Sequence, residues 1–287
     1  MPAALDGVTV TDGYVDTADV RLHYILHAPD AAPAVIGAVT GEGPVPIFVL
    51  PGITSPAATW NFVAAELGIE IPTYVLDQRG RGESDHPSTG YTLDHYADDA
   101  ARTIEALALD RPVVVGHSMG GRVTMRFAAR YPQLCRGVAV IDAPVCGPDR
   151  PFTSGTLDYY LDSIRLAKQG ISPEEFRPFH PTWTREQLVD RLRWLPTCSE
   201  AAVTESFVNL DLEDPADGWS EIARPICFVV GGESQIVSVE EGEELAGRHP
   251  DCELVIIAGA GHMIPWDTLH EFLDVTRRFH ARVTKSG

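Results

Sequence analysis

Apolar and polar positions alternate along the chain in two rhythms. Val8–Val15 and Val20–His27 switch loosely between apolar and polar residues, as two antiparallel strands at a sheet edge would. Val45–Leu50 (VPIFVL) is instead a near-continuous apolar run closed by Pro51-Gly52. Such a run predicts a strand buried on both faces of a parallel sheet. From there the pattern predicts a helix around Trp60–Leu67, a strand at Thr73–Leu76, a helix within Thr92–Leu109 and a strand at Pro112–Val115. A helix at Met119–Arg130 and a strand at Gly137–Ile141 follow. The last part reads as a strand at Ile226–Val230, a helix near Glu240–Gly247, a strand at Glu253–Ile257 and a helix near Trp266–Val283. Strands and helices in this alternation predict an α/β domain, its mainly parallel sheet covered by helices on both sides.

Residues 146–222 break the rhythm. Pro148, Pro151, Pro173, Pro178, Pro181, Pro196 and Pro215 interrupt it, and helical segments are expected only at Leu157–Gln169 and Arg185–Trp194. This stretch is read as a helical lid inserted after the sixth strand, dividing a core made of residues 1–145 and 223–287. Trp183 and Trp194 are read as lid packing. No internal repeat or low-complexity segment is visible.

Composition changes the picture mainly through charge. The 287 residues carry 22 Lys and Arg against 41 Asp and Glu, a formal charge of −19. That balance argues against nucleic acid or an anionic membrane as a partner, since both repel such a chain. No stretch reaches the roughly 18 apolar residues of a membrane span, and the first residues, MPAALDGVTVTDGYVD, lack the basic and apolar regions of a signal peptide. The five cysteines are scattered without a CxxC pair, and they read as reduced thiols of a cytoplasmic protein. The ten histidines form no HExxH and no metal-ligand cluster. Self-association is left open.

The strongest chemical signal is Val113-Val114-Val115-Gly116-His117-Ser118-Met119-Gly120-Gly121. A buried strand runs into G-x-S-x-G and then into a helix, the context that a nucleophile elbow requires. The turn would expose the Ser118 hydroxyl at the C-terminal edge of the sheet, with the Met119 N–H free to bind a developing oxyanion. A serine needs a base. His262, in the Gly-rich loop Ala258–His262 after the last predicted strand, returns to that edge. His23, His180 and His280 are assigned no role, and His117 is expected to turn away and pack. The acid has two candidates. Asp142 ends the strand next to the one bearing Ser118, while Glu233 lies in the loop after the following strand. Asp142 is preferred, and the alternative stays open. The loop Asp77-Gln78-Arg79-Gly80-Arg81-Gly82-Glu83-Ser84 is not a phosphate loop, and its glycines are read as serving backbone geometry.

The order of these motifs (a Pro51-Gly52 loop, Arg-Gly-Arg-Gly, GHSMGG, and a late Gly-His) resembles the α/β-hydrolase fold over nearly the whole chain. The resemblance implies an eight-stranded sheet, no cofactor, and the Ile53 N–H as second oxyanion donor, although Pro51 stands where the family has His. In most of the family the acid follows the strand after the lid, where this sequence has Ser234. An acid twenty-four residues after the serine narrows the resemblance to a small group of bacterial amide hydrolases. These are the N-formylmaleamate deformylases and (E)-2-(acetamidomethylene)succinate hydrolase, which the segments Pro181–Leu188 and Trp194–Glu200 also resemble. The group implies cleavage of a C–N bond in a small anionic organic substrate. A chain at −19 must supply local arginines to bind a dianion. Arg150 is the first candidate, then Arg177 or Arg185, and Ser234 is expected to donate a further hydrogen bond to the substrate. The rival readings are a carboxylesterase, lactonase or carbon–carbon bond hydrolase, and, from another class, a ligand receptor without catalysis.

Overall fold

In the computed structural model residues 6–30 and 44–285 are described, so the reading of the chain's first residues as free of a signal peptide falls partly outside the described residues. Eight strands form one sheet: β1 (Val8–Asp16), β2 (Arg21–Pro29), β3 (Ile47–Leu50), β4 (Thr73–Leu76), β5 (Val113–His117), β6 (Gly137–Ile141), β7 (Ile226–Gly231) and β8 (Cys252–Ile257). Their order across the sheet is β1-β2-β4-β3-β5-β6-β7-β8. β1 pairs antiparallel with β2, and β2 with β4, while every other neighbour is parallel. The apolar runs follow from this placement. β3 to β7 are buried at every position, whereas most residues of the edge strands β1 and β8 are partly or fully exposed.

Helices α1 (Asn61–Gly68), α2 (Leu93–Ala106), α3 (Met119–Arg130), α8 (Val239–Gly247), α9 (Ile264–Asp267) and α10 (Leu269–Thr284) cover the sheet. Two apolar clusters result, one containing Phe48, Val114 and Phe228, the other Val49, Val115 and Val229, so successive strand residues feed opposite layers. The closing helix expected as one piece is two, because Thr268 between α9 and α10 leaves helical geometry at φ −144°.

Between β6 and β7 the chain forms α4 (Leu157–Lys168), α5 (Pro173–Phe176), α6 (Arg185–Trp194) and α7 (Glu200–Leu212). Of these, α5 and α7 are not anticipated by the sequence pattern. Apolar residues surround α7 without a single stripe, so periodicity gives no signal, although Ser199 caps it by accepting from the Ala202 N–H. Among the described residues no helix is long and apolar enough to cross a membrane, and no cluster of three or more His, Cys, Asp or Glu is arranged to hold a metal ion.

Candidate active site

Because β3, β5, β6, β7 and β8 run parallel, their C-terminal ends meet along one edge, where open α/β sheets bind their ligands. β5 delivers Ser118 at φ 55° and ψ −119°, a region that non-glycine residues rarely occupy. The turn is tight enough that a Cβ on Gly116 would strike the Gly120 carbonyl and the Thr124 hydroxyl, and one on Gly120 would strike the Leu50 carbonyl. Only glycine fits two residues either side of the serine.

His262 approaches from the loop after β8. Its Nε2 lies 3.0 Å from Ser118 Oγ and its Nδ1 2.7 Å from Asp142 Oδ2. Asp142 follows β6 directly and is also left-handed, at φ 44°. It is wholly buried. Its Oδ1 accepts from the Gly231 N–H at 2.9 Å, and its Oδ2 also accepts from Ser234 Oγ at 2.6 Å. Two donors thus fix the carboxylate against the imidazole. Glu233, the other candidate acid, stands at the cavity wall; its backbone N–H donates to the Ala260 carbonyl, and the imidazole bonds to Asp142. Ser234 departs from its expected role. Its hydroxyl donates to Asp142 and accepts from the Ile236 and Val237 N–H groups at 3.1 and 3.3 Å, which leaves no hydrogen for a substrate.

His117 packs as expected, buried against Trp60 and Trp266. Its Nε2 also donates to the His262 carbonyl at 2.9 Å, so it braces the loop that carries the second histidine. Burial first, then the neighbouring His262, pushes its pKa down to about 3, so the ring stays neutral.

Met119, the first residue of α3, has an N–H with no intrahelical acceptor. Among the described residues the Ile53 N–H, in the loop after β3, likewise donates to nothing. Ile53, Ser118, Met119 and His262 share a recess of about 10 Å³, closed by Phe152, Tyr160, Leu210 and Ile236. It is about the size of one water. Beside it a cavity of about 560 Å³ opens between the sheet edge and the insertion.

The structure does not bring the expected arginines to this cavity. Arg150 is 47% exposed and bonds Glu241 at 2.6 Å. Arg177 donates to the Trp183 carbonyl at 2.9 Å and braces the insertion. Arg185 bonds Glu174 at 3.0 Å in solvent. Arg191 lines the wall instead. It shares the buried face of α6 with Leu188, three residues earlier, and an arginine on an apolar stripe is the signal that could have found it. Its Nη1 donates to the Thr54 carbonyl at 2.5 Å and its Nη2 to Thr54 Oγ1 at 2.6 Å, while its Nε is buried without a partner. Among the described residues no carboxylate pairs with it. Burial lowers its pKa from the ordinary value, yet a guanidinium remains charged. His180, assigned no role from sequence, lines the same wall stacked on Trp183 at 4.0 Å. Burial, Arg191 and His262 push its pKa down to about 3.

A mainly parallel eight-stranded sheet whose fifth strand ends in this serine turn defines the α/β hydrolases. The chain belongs to the alpha/beta hydrolase family, whose profile matches residues 47–275. It is 38% identical over 264 residues to N-formylmaleamate deformylase of Pseudomonas putida, covering 92% of this chain and 94% of that protein. It is 30% identical over 249 residues to 2-(acetamidomethylene)succinate hydrolase of Mesorhizobium japonicum, covering 78% and 83%. The crystal structure of an N-formylmaleamic acid deformylase from Pseudomonas putida superposes with a TM-score of 0.83 at 33% identity, over 93% of this chain and all of that one. The structure of E-2-(acetamidomethylene)succinate hydrolase gives 0.76 at 25% identity, over 94% and 99%. The resemblance read from the motifs is thereby borne out.

Proposed function

We propose that this protein is a serine hydrolase that cleaves the C–N bond of a small formamide or acetamide whose amine side carries carboxylates. One observation carries the reading: the relay Ser118–His262–Asp142 opens onto a cavity whose lining includes a buried guanidinium, Arg191, with no carboxylate partner among the described residues. A buried cation without a counter-ion is costly to maintain, and a substrate carboxylate would complete it bidentately. The activities named for the relatives at 38% and 30% identity support the same substrate class.

In this reading His262 Nε2 takes the Ser118 proton as Oγ attacks the acyl carbon. The carbonyl electrons move to an oxyanion received by the Ile53 and Met119 N–H groups, each contributing on the order of 3 kcal/mol. Asp142 stabilises the imidazolium. The C–N bond then breaks, the nitrogen takes the proton from His262, and a formyl or acetyl group remains on Ser118. Water, deprotonated by His262, attacks that ester and releases formate or acetate. The recess of about 10 Å³ beside Ser118, about one water in size, suits the carbonyl oxygen of that acyl group. An enamine leaving group conjugated to a carboxyl delocalises the nitrogen electron pair and eases expulsion.

The test is release of formate from N-formylmaleamate, or of acetate from (E)-2-(acetamidomethylene)succinate, by the wild type and by Ser118→Ala, alongside p-nitrophenyl acetate. Rapid Ser118-dependent release from one of these anionic amides with slow ester cleavage is expected. Cleavage of the ester alone would replace the reading with that of a carboxylesterase.

A further inference from the structure

The Arg-Gly-Arg-Gly run after β4 takes no part in the relay, yet it places two arginines in the protein interior. The first, Arg79, makes a buried ion pair, with Nε 2.6 Å and Nη2 2.7 Å from the two oxygens of Asp99. The second, Arg81, is wholly buried, and among the described residues it has no carboxylate within ion-pair reach. Its guanidinium is nevertheless engaged at all three nitrogens. Nε donates to the Ile53 carbonyl at 2.9 Å; Nη1 donates to the Arg79 carbonyl at 2.8 Å and to the Tyr96 hydroxyl. Nη2 donates to Ser206 Oγ at 3.2 Å and reaches Met119 Sδ at 3.7 Å. One rigid plane therefore touches both residues whose N–H groups face the recess, together with α2 through Tyr96 and the insertion through Ser206 on α7.

We propose that Arg81 is the positioning residue of the oxyanion site: its guanidinium holds the Ile53 backbone through its carbonyl and Met119 through its side-chain sulfur, and supplies a fixed positive charge behind them. The inference rests on the proposed serine mechanism, in which those two N–H groups receive the oxyanion. Desolvating a cation with only neutral acceptors is unfavourable in the resting protein. The interaction becomes favourable when negative charge develops nearby, so it stabilises the tetrahedral state more than the bound substrate. Arginine is needed because a lysine ammonium cannot span five acceptors in one plane.

The experiment compares Arg81→Met, Arg81→Lys and Ser206→Ala with the wild type. It records kcat, KM, thermal melting, inhibition by an alkylboronic acid that forms a tetrahedral anion on serine, and inhibition by succinate as a ground-state dicarboxylate. For Arg81→Met, kcat and boronate affinity are expected to fall in parallel by about 10²–10³-fold, with KM and succinate affinity within about threefold. Arg81→Lys should recover part of the loss. Ser206→Ala, which removes one acceptor and leaves the core otherwise intact, should show the same selective pattern at about three- to tenfold; it carries the test should Arg81→Met not fold. Boronate affinity unchanged in the folded variants, or equal losses for boronate and succinate, would overturn the proposal. Failure of the boronate to inhibit the wild type would overturn the serine mechanism itself, and the role of Arg81 with it.

Discussion

The two walls of the cavity are built by opposite means. On the sheet side every functional group sits within five residues of a strand end: Ile53 after β3, Ser118 after β5, Asp142 after β6 and His262 after β8. Backbone geometry fixes these groups, including the two residues held at φ 55° and 44°, and short hydrogen bonds join them. On the insertion side the wall is made of side chains from short helices that pack through rings. His180 stacks on Trp183 at 4.0 Å, and Trp183 stacks on Trp266 of the core at 5.5 Å and 5°. Its buried charge, Arg191, reaches across 137 positions of sequence to Thr54. Under the proposed function the first wall performs chemistry and the second recognises the substrate. The two functions should therefore fail separately.

The largest effects belong to the sheet wall. Ser118→Ala should lower kcat by about 10⁶-fold and Asp142→Asn by about 10⁴-fold, both with melting temperatures near the wild type, as steady-state assays and calorimetry would show. On the other wall Arg191→Met should lower kcat/KM for a dicarboxylate amide by about 10²–10³-fold, the usual loss when one partner of a buried charged pair is truncated. Arg150→Ala should stay within about twofold, since its partner Glu241 lies outside the cavity. If the Arg150 variant fails with the diacid and the Arg191 variant does not, the assignment of the recognition wall is wrong.

Smaller effects sharpen the sheet wall. Ser234→Ala removes a hydrogen bond to the Asp142 carboxylate and should lower kcat by about tenfold, with KM unchanged; Glu233→Gln should stay within about threefold. His117 gives a test by pH. Its pKa is pushed from 6.5 down to about 3 in the folded protein, so between those values the unfolded chain binds a proton that the folded chain does not. Its contribution to stability is therefore present above pH 6.5 and lost as the pH falls toward 3. His117→Gln should flatten the fall in urea stability between about pH 7 and 5, by at most about 1.4 kcal/mol per pH unit.

The same division governs what the sequence reveals. β4, β6, α3 and α6 match their expected limits, because buried parallel strands and Gly-bounded turns leave short-range patterns. Ser118, His262 and Asp142 are legible for that reason: each follows a strand whose end the apolar runs define. Within the insertion only α4 and α6 are anticipated. α7 is apolar around its circumference, and the sequence points to Arg150, Arg177 and Arg185 for the substrate because partners distant along the chain leave no local trace. What distinguishes Arg191 is only that it replaces an apolar residue on the buried stripe of α6. Ser234 lies in the expected loop, but a hydroxyl's choice between substrate and Asp142 depends on angstrom-scale geometry. The same is true of Arg81, which in the sequence is an adjunct to two glycines.

One set of rates decides whether chemistry and recognition reside on separate walls. These are kcat/KM for N-formylmaleamate and for p-nitrophenyl acetate, measured for the wild type, Ser118→Ala and Arg191→Met. Ser118→Ala is expected to lose both activities, while Arg191→Met loses the anionic amide and keeps the neutral ester within about tenfold. Equal losses of both substrates in Arg191→Met, or N-formylmaleamate cleavage that survives Ser118→Ala, would contradict the separation.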